Sequence, residues 1–259
     1  MINPDTTRAR FAATAERLAE LGAARVQATR ARVDDLLSFR GDEVALDAAC
    51  GTGTLALALA PRVLRVIGVD LVPEMLDQGR KQATADDRIE WLVGDVYALP
   101  IDGASVHVAG LMRTLHHVER PGDAIAEIAR VLVPGGVALI IDQLASEDPD
   151  EAALFEQIER RRDPSHARTL ADSEIQRLAG DAGLTIERLD VATEDRRLDL
   201  FLELAGCDAA TSGEIHELAR IACAAGKSAG VDLRPANGGY EFTERVGWYV
   251  GRAASRSAT

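Results

Sequence analysis

Apolar positions recur at two different spacings along the first 145 residues, and the alternation between them sets the architecture. Residues 7 to 37 place Phe11, Ala15, Leu18, Leu21, Val33, Leu36 and Leu37 at helical intervals among Arg and Glu, which predicts an N-terminal helical arm ended by Gly41-Asp42. Short apolar runs then trade places with amphipathic segments. Strands are predicted at Val44–Ala48, Val63–Asp70, Ile89–Val93, Val106–Met112 and Val137–Asp142. Helices are predicted at Thr54–Ala60, Pro73–Ala83 and Pro121–Leu132. Strands that alternate with helices across short Gly/Pro turns read as βαβ units of a doubly wound, mostly parallel α/β sheet.

Beyond Asp142 the rhythm changes. Charged helices near 150–162 and 172–182 precede a strand Leu184–Val191, helices near 196–206 and 213–225, and a last strand near Tyr240–Val250. The expected organisation is a helical arm over 1–40, an α/β core over 41–143, and lid helices with the last two strands of the same sheet over 144–259. No internal repeat or low-complexity segment interrupts it.

Composition narrows the function classes. A net charge of −13 with only 4% aromatic residues argues against a nucleic-acid surface or an anionic membrane, because an acidic protein repels both. No apolar run is long enough to span a bilayer, and the first residues carry Asp5, Arg8 and Arg10 where a signal peptide would be apolar. Three widely spaced cysteines, Cys50, Cys207 and Cys223, form neither a disulfide framework nor a metal motif, which suits a reducing, cytoplasmic setting. The expected partner is a small molecule, the expected state a monomer or homodimer, and no metal is called for.

Chemistry concentrates at strand ends. The first strand ends in Asp47 and turns through Gly51-Thr52-Gly53 into a helix, where backbone N–H groups and a carboxylate can receive a ligand that bears both a carboxylate and an amine. Taken alone, this turn also fits an ordinary strand-to-helix connection. The second strand ends in Asp70, placed to accept the hydroxyls of a ribose. The third ends in Gly94-Asp95-Val96, able to read an exocyclic amine and a ring nitrogen. Three acids at successive strand ends describe one nucleoside-sized crevice.

With these residues in view, Val44 to Leu144 resembles the class I S-adenosylmethionine-dependent methyltransferases of the ubiquinone/menaquinone-biosynthesis type. The stretches D-x-A-C-G-T-G, V-I-G-V-D-L-V-P-E-M-L, G-D-V-x-x-L-P, R-T-L-H-H-V and R-V-L-V-P-G-G stand in the family's order. The resemblance implies a seven-stranded sheet with an antiparallel last strand, S-adenosylmethionine as cofactor and S-adenosylhomocysteine as product. It places the methionine end at Ala49, Gly51 and Gly53 with Asp47 near the amine, and the ribose on Asp70. It sets Leu71 and Met75 on the adenine, Gly94, Asp95 and Val96 at the adenine edge, and Met112 with Arg113 beside the sulfonium. It also matches Phe11–Glu20 to a helix laid over the cofactor, with Thr14 and Leu18 standing where a Gln and an aromatic are common, and Arg162–Arg168 to a substrate-side segment.

The expected reaction is in-line methyl transfer to oxygen or carbon of a small molecule, in secondary-metabolite or quinone-like biosynthesis. A base is needed only where the acceptor is protonated. His117 and His116 are the candidates, with His117 and His166 as candidate substrate contacts. Each could instead serve a turn or a helix cap. Arg160 to Arg162 read either as a grip for an acidic substrate or as compensation at a helix C-terminus, and Cys50 as packing. Two other readings stay open: an S-adenosylmethionine-binding protein with a non-methylating or regulatory role, and an NAD(P)-dependent oxidoreductase, since Gly51-x-Gly53-x-x-Ala56 followed by Asp70 also meets the dinucleotide fingerprint.

Overall fold

A computed structural model describes residues 4–20 and 22–255. Its frame is one sheet in the order β3-β2-β1-β4-β5-β9-β7. The strands are β1 (Val44–Ala48), β2 (Arg65–Asp70), β3 (Ile89–Val93), β4 (Val106–Met112), β5 (Leu132–Ala145), β7 (Leu184–Arg197) and β9 (Gly239–Ala253). Two short strands hang from this path: β6 (Leu170–Ala171) beside β5 and β8 (Arg234–Ala236) beside β9. The first five pair in parallel, while β9 runs antiparallel between β5 and β7. This is a mixed α/β Rossmann-like sheet of the kind expected, with nine strands where the sequence indicates seven.

The first β-strands are apolar almost throughout because helices cover both faces. On one face α2 (Gly22–Leu36) and α3 (Thr54–Leu59) bury Val33, Leu55, Ala56 and Leu59 against Val66, Val108 and Leu139. On the other, α5 (Pro121–Val131) and α7 (Asp172–Asp181) bury Ile125, Ile128 and Ile175 against Leu46, Ile67 and Ile140. The second half adds its own small core, in which α6 (Pro149–Arg162), α8 (Leu198–Ala205) and α9 (Ala209–Ala224) close over Phe242 of β9. Helix α1 (Pro4–Glu20) packs through Ala15 on Val72 and Met75 of the α4 region (Pro73–Gln82), so it lies across the carboxyl ends of β1 and β2.

Several boundaries differ from the sequence reading for identifiable reasons. The arm is two helices rather than one amphipathic stretch. The strand expected from Val63 begins at Arg65, because Pro61 opens a 3-10 turn over Ala60–Arg62. The last strands run longer than their apolar patterns: β7 and β9 stay paired as far as Arg197 and Glu241, beyond the region where α7 covers the sheet. Helix α9 starts at Ala209, where the Asp208 carboxylate caps it by accepting from Thr211 N at 2.7 Å.

Glycines at the edge of the sheet serve packing as well as turning. A Cβ added to Gly53, Gly68 or Gly79 would overlap the Trp91 indole, so these three residues form the slot in which the ring sits.

Candidate active site

Strand order runs outward in opposite senses from β1 and from β4, and the crevice at their carboxyl ends opens into a cavity of about 670 Å³. That volume falls within the roughly 300–1,000 Å³ of small-molecule sites. Helix α1 roofs it with Phe11, Thr14 and Leu18, and α8 closes the far side with Phe201 and Leu204.

Asp47 lies at the end of β1, 1% exposed. One oxygen accepts from Ala56 N at 2.8 Å and the other, Oδ1, is buried with no partner among the described residues. Burial, with Asp70 adding repulsion, pushes its pKa up to about 8. A buried carboxylate oxygen without a donor is suited to an incoming ammonium group, which would satisfy it and restore its charge. Ala49 and Gly51 follow in left-handed backbone, with φ of 52° and 54°. The Gly51 N–H is already engaged, donating to Asp70 Oδ2 at 2.7 Å. Its α-carbon faces open cavity, where an added Cβ would meet only Met75 Cε at 3.7 Å. Gly51 therefore offers close approach and not a free donor.

Asp70 ends β2, and each of its oxygens accepts one backbone N–H, from Gly51 and from Val72 at 2.9 Å. Those bonds fix the carboxylate while leaving acceptor capacity on both oxygens for a vicinal diol. Burial nonetheless raises its pKa. Leu71, Met75, Gly94, Asp95 and Val96 line the wall beyond it. Asp95 is exposed and turned by a bond from Tyr97 N at 2.9 Å.

The turn after β4 carries the densest polar network. His116 Nδ1 lies 2.5 Å from Asp142 Oδ1, and Asp142 also accepts from Thr114, Leu115 and Gln143 N–H groups at 2.6 to 3.0 Å. Burial opposes the Asp142 charge, yet His116, these amides and Arg113 hold its pKa below the ordinary value. An ionised Asp142 fixes the imidazole with its proton on Nδ1 and its Nε2 lone pair available. His117 is tied by Nδ1 to Ser165, with carbonyl and hydroxyl oxygens each at 3.2 Å, and stands edge-on to Phe11 with ring centroids 5.0 Å apart. Burial, then the neighbouring His116, lowers its pKa well below the ordinary imidazole value.

Arg113 continues this turn at φ 52°, and its side chain grips Glu244 of β9 through two bonds of 2.6 and 3.1 Å, with Arg196 on the same carboxylate at 2.7 Å. Burial of Glu244 is outweighed by the two guanidinium groups, which hold its pKa far below the carboxylate range.

Of the residues singled out from sequence, Asp47, Ala49, Gly51, Asp70, Leu71, Met75, Gly94, Asp95, Val96, Met112, Arg113, His116 and His117 all line this one cavity. Gly53 and His166 are not among its lining residues. Gly53 backs onto Trp91, and His166 is buried behind the histidine pair, its Nε2 3.2 Å from both Glu156 oxygens. There it fastens the 163–169 loop to α6. Arg160 and Arg161 are exposed at the α6 C-terminus, while Arg162 turns inward to Glu159 and over the Phe201 ring. Cys50 is buried and its thiol pKa pushed well up. Sequence reasoning passed over Asp142, although it too is an acid at a strand end. Glu244 and Arg196 carried no motif; only the pairing of β7 with β9 brings them together.

Comparison with known proteins gives the same frame. Residues 46–140 match the methyltransferase domain family model. The YcgJ protein of Bacillus subtilis, named an uncharacterised methyltransferase, is 33% identical over 139 residues, 53% of this chain and 55% of its own length. A ubiquinone/menaquinone biosynthesis C-methyltransferase of Dinoroseobacter shibae is 40% identical over 114 residues, 42% of this chain and 45% of its own. The chain thus spans about half the length of these curated relatives. Among solved structures, the BH2331 protein of Bacillus halodurans superposes with a TM-score of 0.82 at 22% identity, over 87% of this chain and 99% of that one. The mixed α/β Rossmann-like fold is shared with that structure and with the YcgJ structure of Bacillus subtilis. Among the described residues no helix is long and apolar enough to cross a membrane.

Proposed function

We propose that the chain, whose residues 46–140 match the methyltransferase domain family model, transfers a methyl group from S-adenosylmethionine to oxygen or carbon of a small-molecule acceptor. The observation that carries this reading is the unpartnered, buried Asp47 Oδ1 in the same cavity as Asp70 and the His116–Asp142 pair. Asp47 would hold the cofactor's ammonium, Asp70 its ribose hydroxyls, and Leu71 with Met75 its adenine face, between Asp95 and Val96 at the ring edge. When bound, S-adenosylmethionine supplies a methyl group activated by the positive sulfur.

The chain's own residues then have three tasks. Met112 and the Arg113 backbone form the wall between cofactor and acceptor, and the α1 roof with Phe11 excludes water, which strengthens every polar interaction inside. His116 Nε2 takes a proton from an acceptor hydroxyl or acidic carbon, with Asp142 holding the imidazole in the required tautomer and stabilising its charged form. His117, held neutral, packs the acceptor side against Phe11. A cytoplasmic setting, supported by three free cysteines, and a monomeric or homodimeric state belong to the same reading.

The test is incubation with methyl-labelled S-adenosylmethionine and a panel of phenols, quinols and stabilised enols. Label transfer with stoichiometric S-adenosylhomocysteine in the presence of an acceptor supports the proposal. Absence of both S-adenosylhomocysteine formation and S-adenosylhomocysteine binding overturns it.

A further inference from the structure

The cavity of this acidic protein is rich in arginine, and most of those guanidinium groups are spoken for. Arg10 lies 3.6 Å from Asp163 and donates to the Ala205 carbonyl at 3.1 Å, Arg162 holds Glu159, and Arg113 and Arg196 share Glu244. Two others, Arg17 of α1 and Arg25 of α2, line the cavity with neither a hydrogen-bond nor an ion-pair partner among the described residues. Arg25, in the first turn of α2, keeps an exposed side chain and is the one whose surroundings include Arg113 and Arg196. That turn contains no acid, so a cation stands where the helix dipole already presents positive charge. The groups facing it are Arg113 and Arg196, against the Glu244 they share and the exposed Glu194. Burial, followed by Arg113 and Arg196, lowers the Arg25 pKa, the direction expected for a guanidinium near like charge. The rest of this side of the cavity is apolar, made by Phe11, Phe201 and Leu204.

We propose that the acceptor carries an anionic group, a carboxylate or a phosphate, on an apolar body, and that Arg25 on α2 receives that charge together with Arg113 and Arg196 on the sheet. This rests on the methyl-transfer reading of the cavity. An anion there turns three mutually repelling cations into a bidentate-capable clamp. It also bridges α2 to the sheet. A neutral analogue of the same shape fills the apolar wall and leaves Arg25 unpaired, which makes Arg25 a specificity-determining residue.

The experiment is calorimetric titration of 1-naphthoate, 1-naphthyl phosphate and neutral 1-naphthamide into protein saturated with S-adenosylhomocysteine. At least one anion is expected to bind tenfold or more tightly than the amide, and the tighter of the two identifies carboxylate or phosphate as the recognised group. Arg25→Gln should remove this preference without changing S-adenosylhomocysteine affinity. Arg177→Gln, which removes the same charge from an exposed pair with Asp181, should keep it. Equal binding of amide and anions, no binding of either anion, or a preference that survives Arg25→Gln or vanishes in Arg177→Gln overturns the proposal. Failure of wild-type protein to bind S-adenosylhomocysteine would instead overturn the methyl-transfer reading beneath it.

Discussion

His116 Nδ1 and Asp142 Oδ1 stand 2.5 Å apart at the ends of neighbouring strands, and three backbone amides hold the carboxylate in place. In the proposed reaction the pair makes His116 the base, a choice the sequence leaves open. His116→Ala is expected to lower turnover by about 10²-fold or more for a protonated acceptor while leaving S-adenosylhomocysteine affinity nearly unchanged. His117→Ala should cost less. Asp142→Asn should lower kcat and shift the acid limb of the kcat/KM profile, a change in pH dependence that a merely structural role would not produce. Steady-state kinetics across pH 5–9 checks all three.

Asp47 makes cofactor affinity depend on pH. Its folded pKa of about 8 lies above its ordinary 3.8, so below pH 8 the free site is mainly protonated and an ammonium ligand must displace that proton. Affinity for S-adenosylhomocysteine should therefore rise as pH increases from 6 to 8, by up to about tenfold per unit, with proton release on binding. Calorimetry in buffers of different ionisation enthalpy measures that release directly. In Asp47→Asn the pH slope should disappear and affinity fall by about 2 kcal/mol.

Glu244 ties β9 to β4 and β7 through two arginines. Removing its charge leaves two half-buried guanidinium groups short of an anion, so Glu244→Gln is expected to destabilise the fold by about 1–2 kcal/mol in urea unfolding. The wild-type pKa is depressed, so this contribution is full above the ordinary carboxylate pKa of 4.5 and is lost as pH falls below it. The stability difference between wild type and variant should accordingly narrow in acid.

Gly53 is constrained by Trp91 and by a φ of 85°. Gly53→Ala should cost about 2–3 kcal/mol through overlap and backbone strain. In a Trp91→Leu background the same change should cost less, and chemical denaturation of the four proteins closes the cycle.

These cases show where sequence was informative. Asp47, Asp70 and Asp95 were legible because a parallel sheet delivers successive strand ends to one crevice, so their order along the chain is also their order in space. Leu71 and Met75, which the family resemblance and not spacing singles out, line the same cavity just beyond the end of β2. Gly53 falls outside the cavity lining, and a glycine required by a neighbouring ring and one required by a ligand look identical in a G-x-G pattern. His166 lies behind the histidine pair, a placement that leaves no trace in local sequence. Glu244 and Arg196, 48 residues apart, meet only through the register of β7 on β9, which apolar spacing alone does not fix.

The cofactor seat is tested most directly at Asp70, whose two oxygens are aimed and held by Gly51 and Val72. Calorimetric titration of S-adenosylhomocysteine into wild type and Asp70→Ala at pH 8 should show saturable one-site binding that weakens by about 1–3 kcal/mol in the variant. Equal affinity in the two proteins would place the ribose elsewhere and contradict the account.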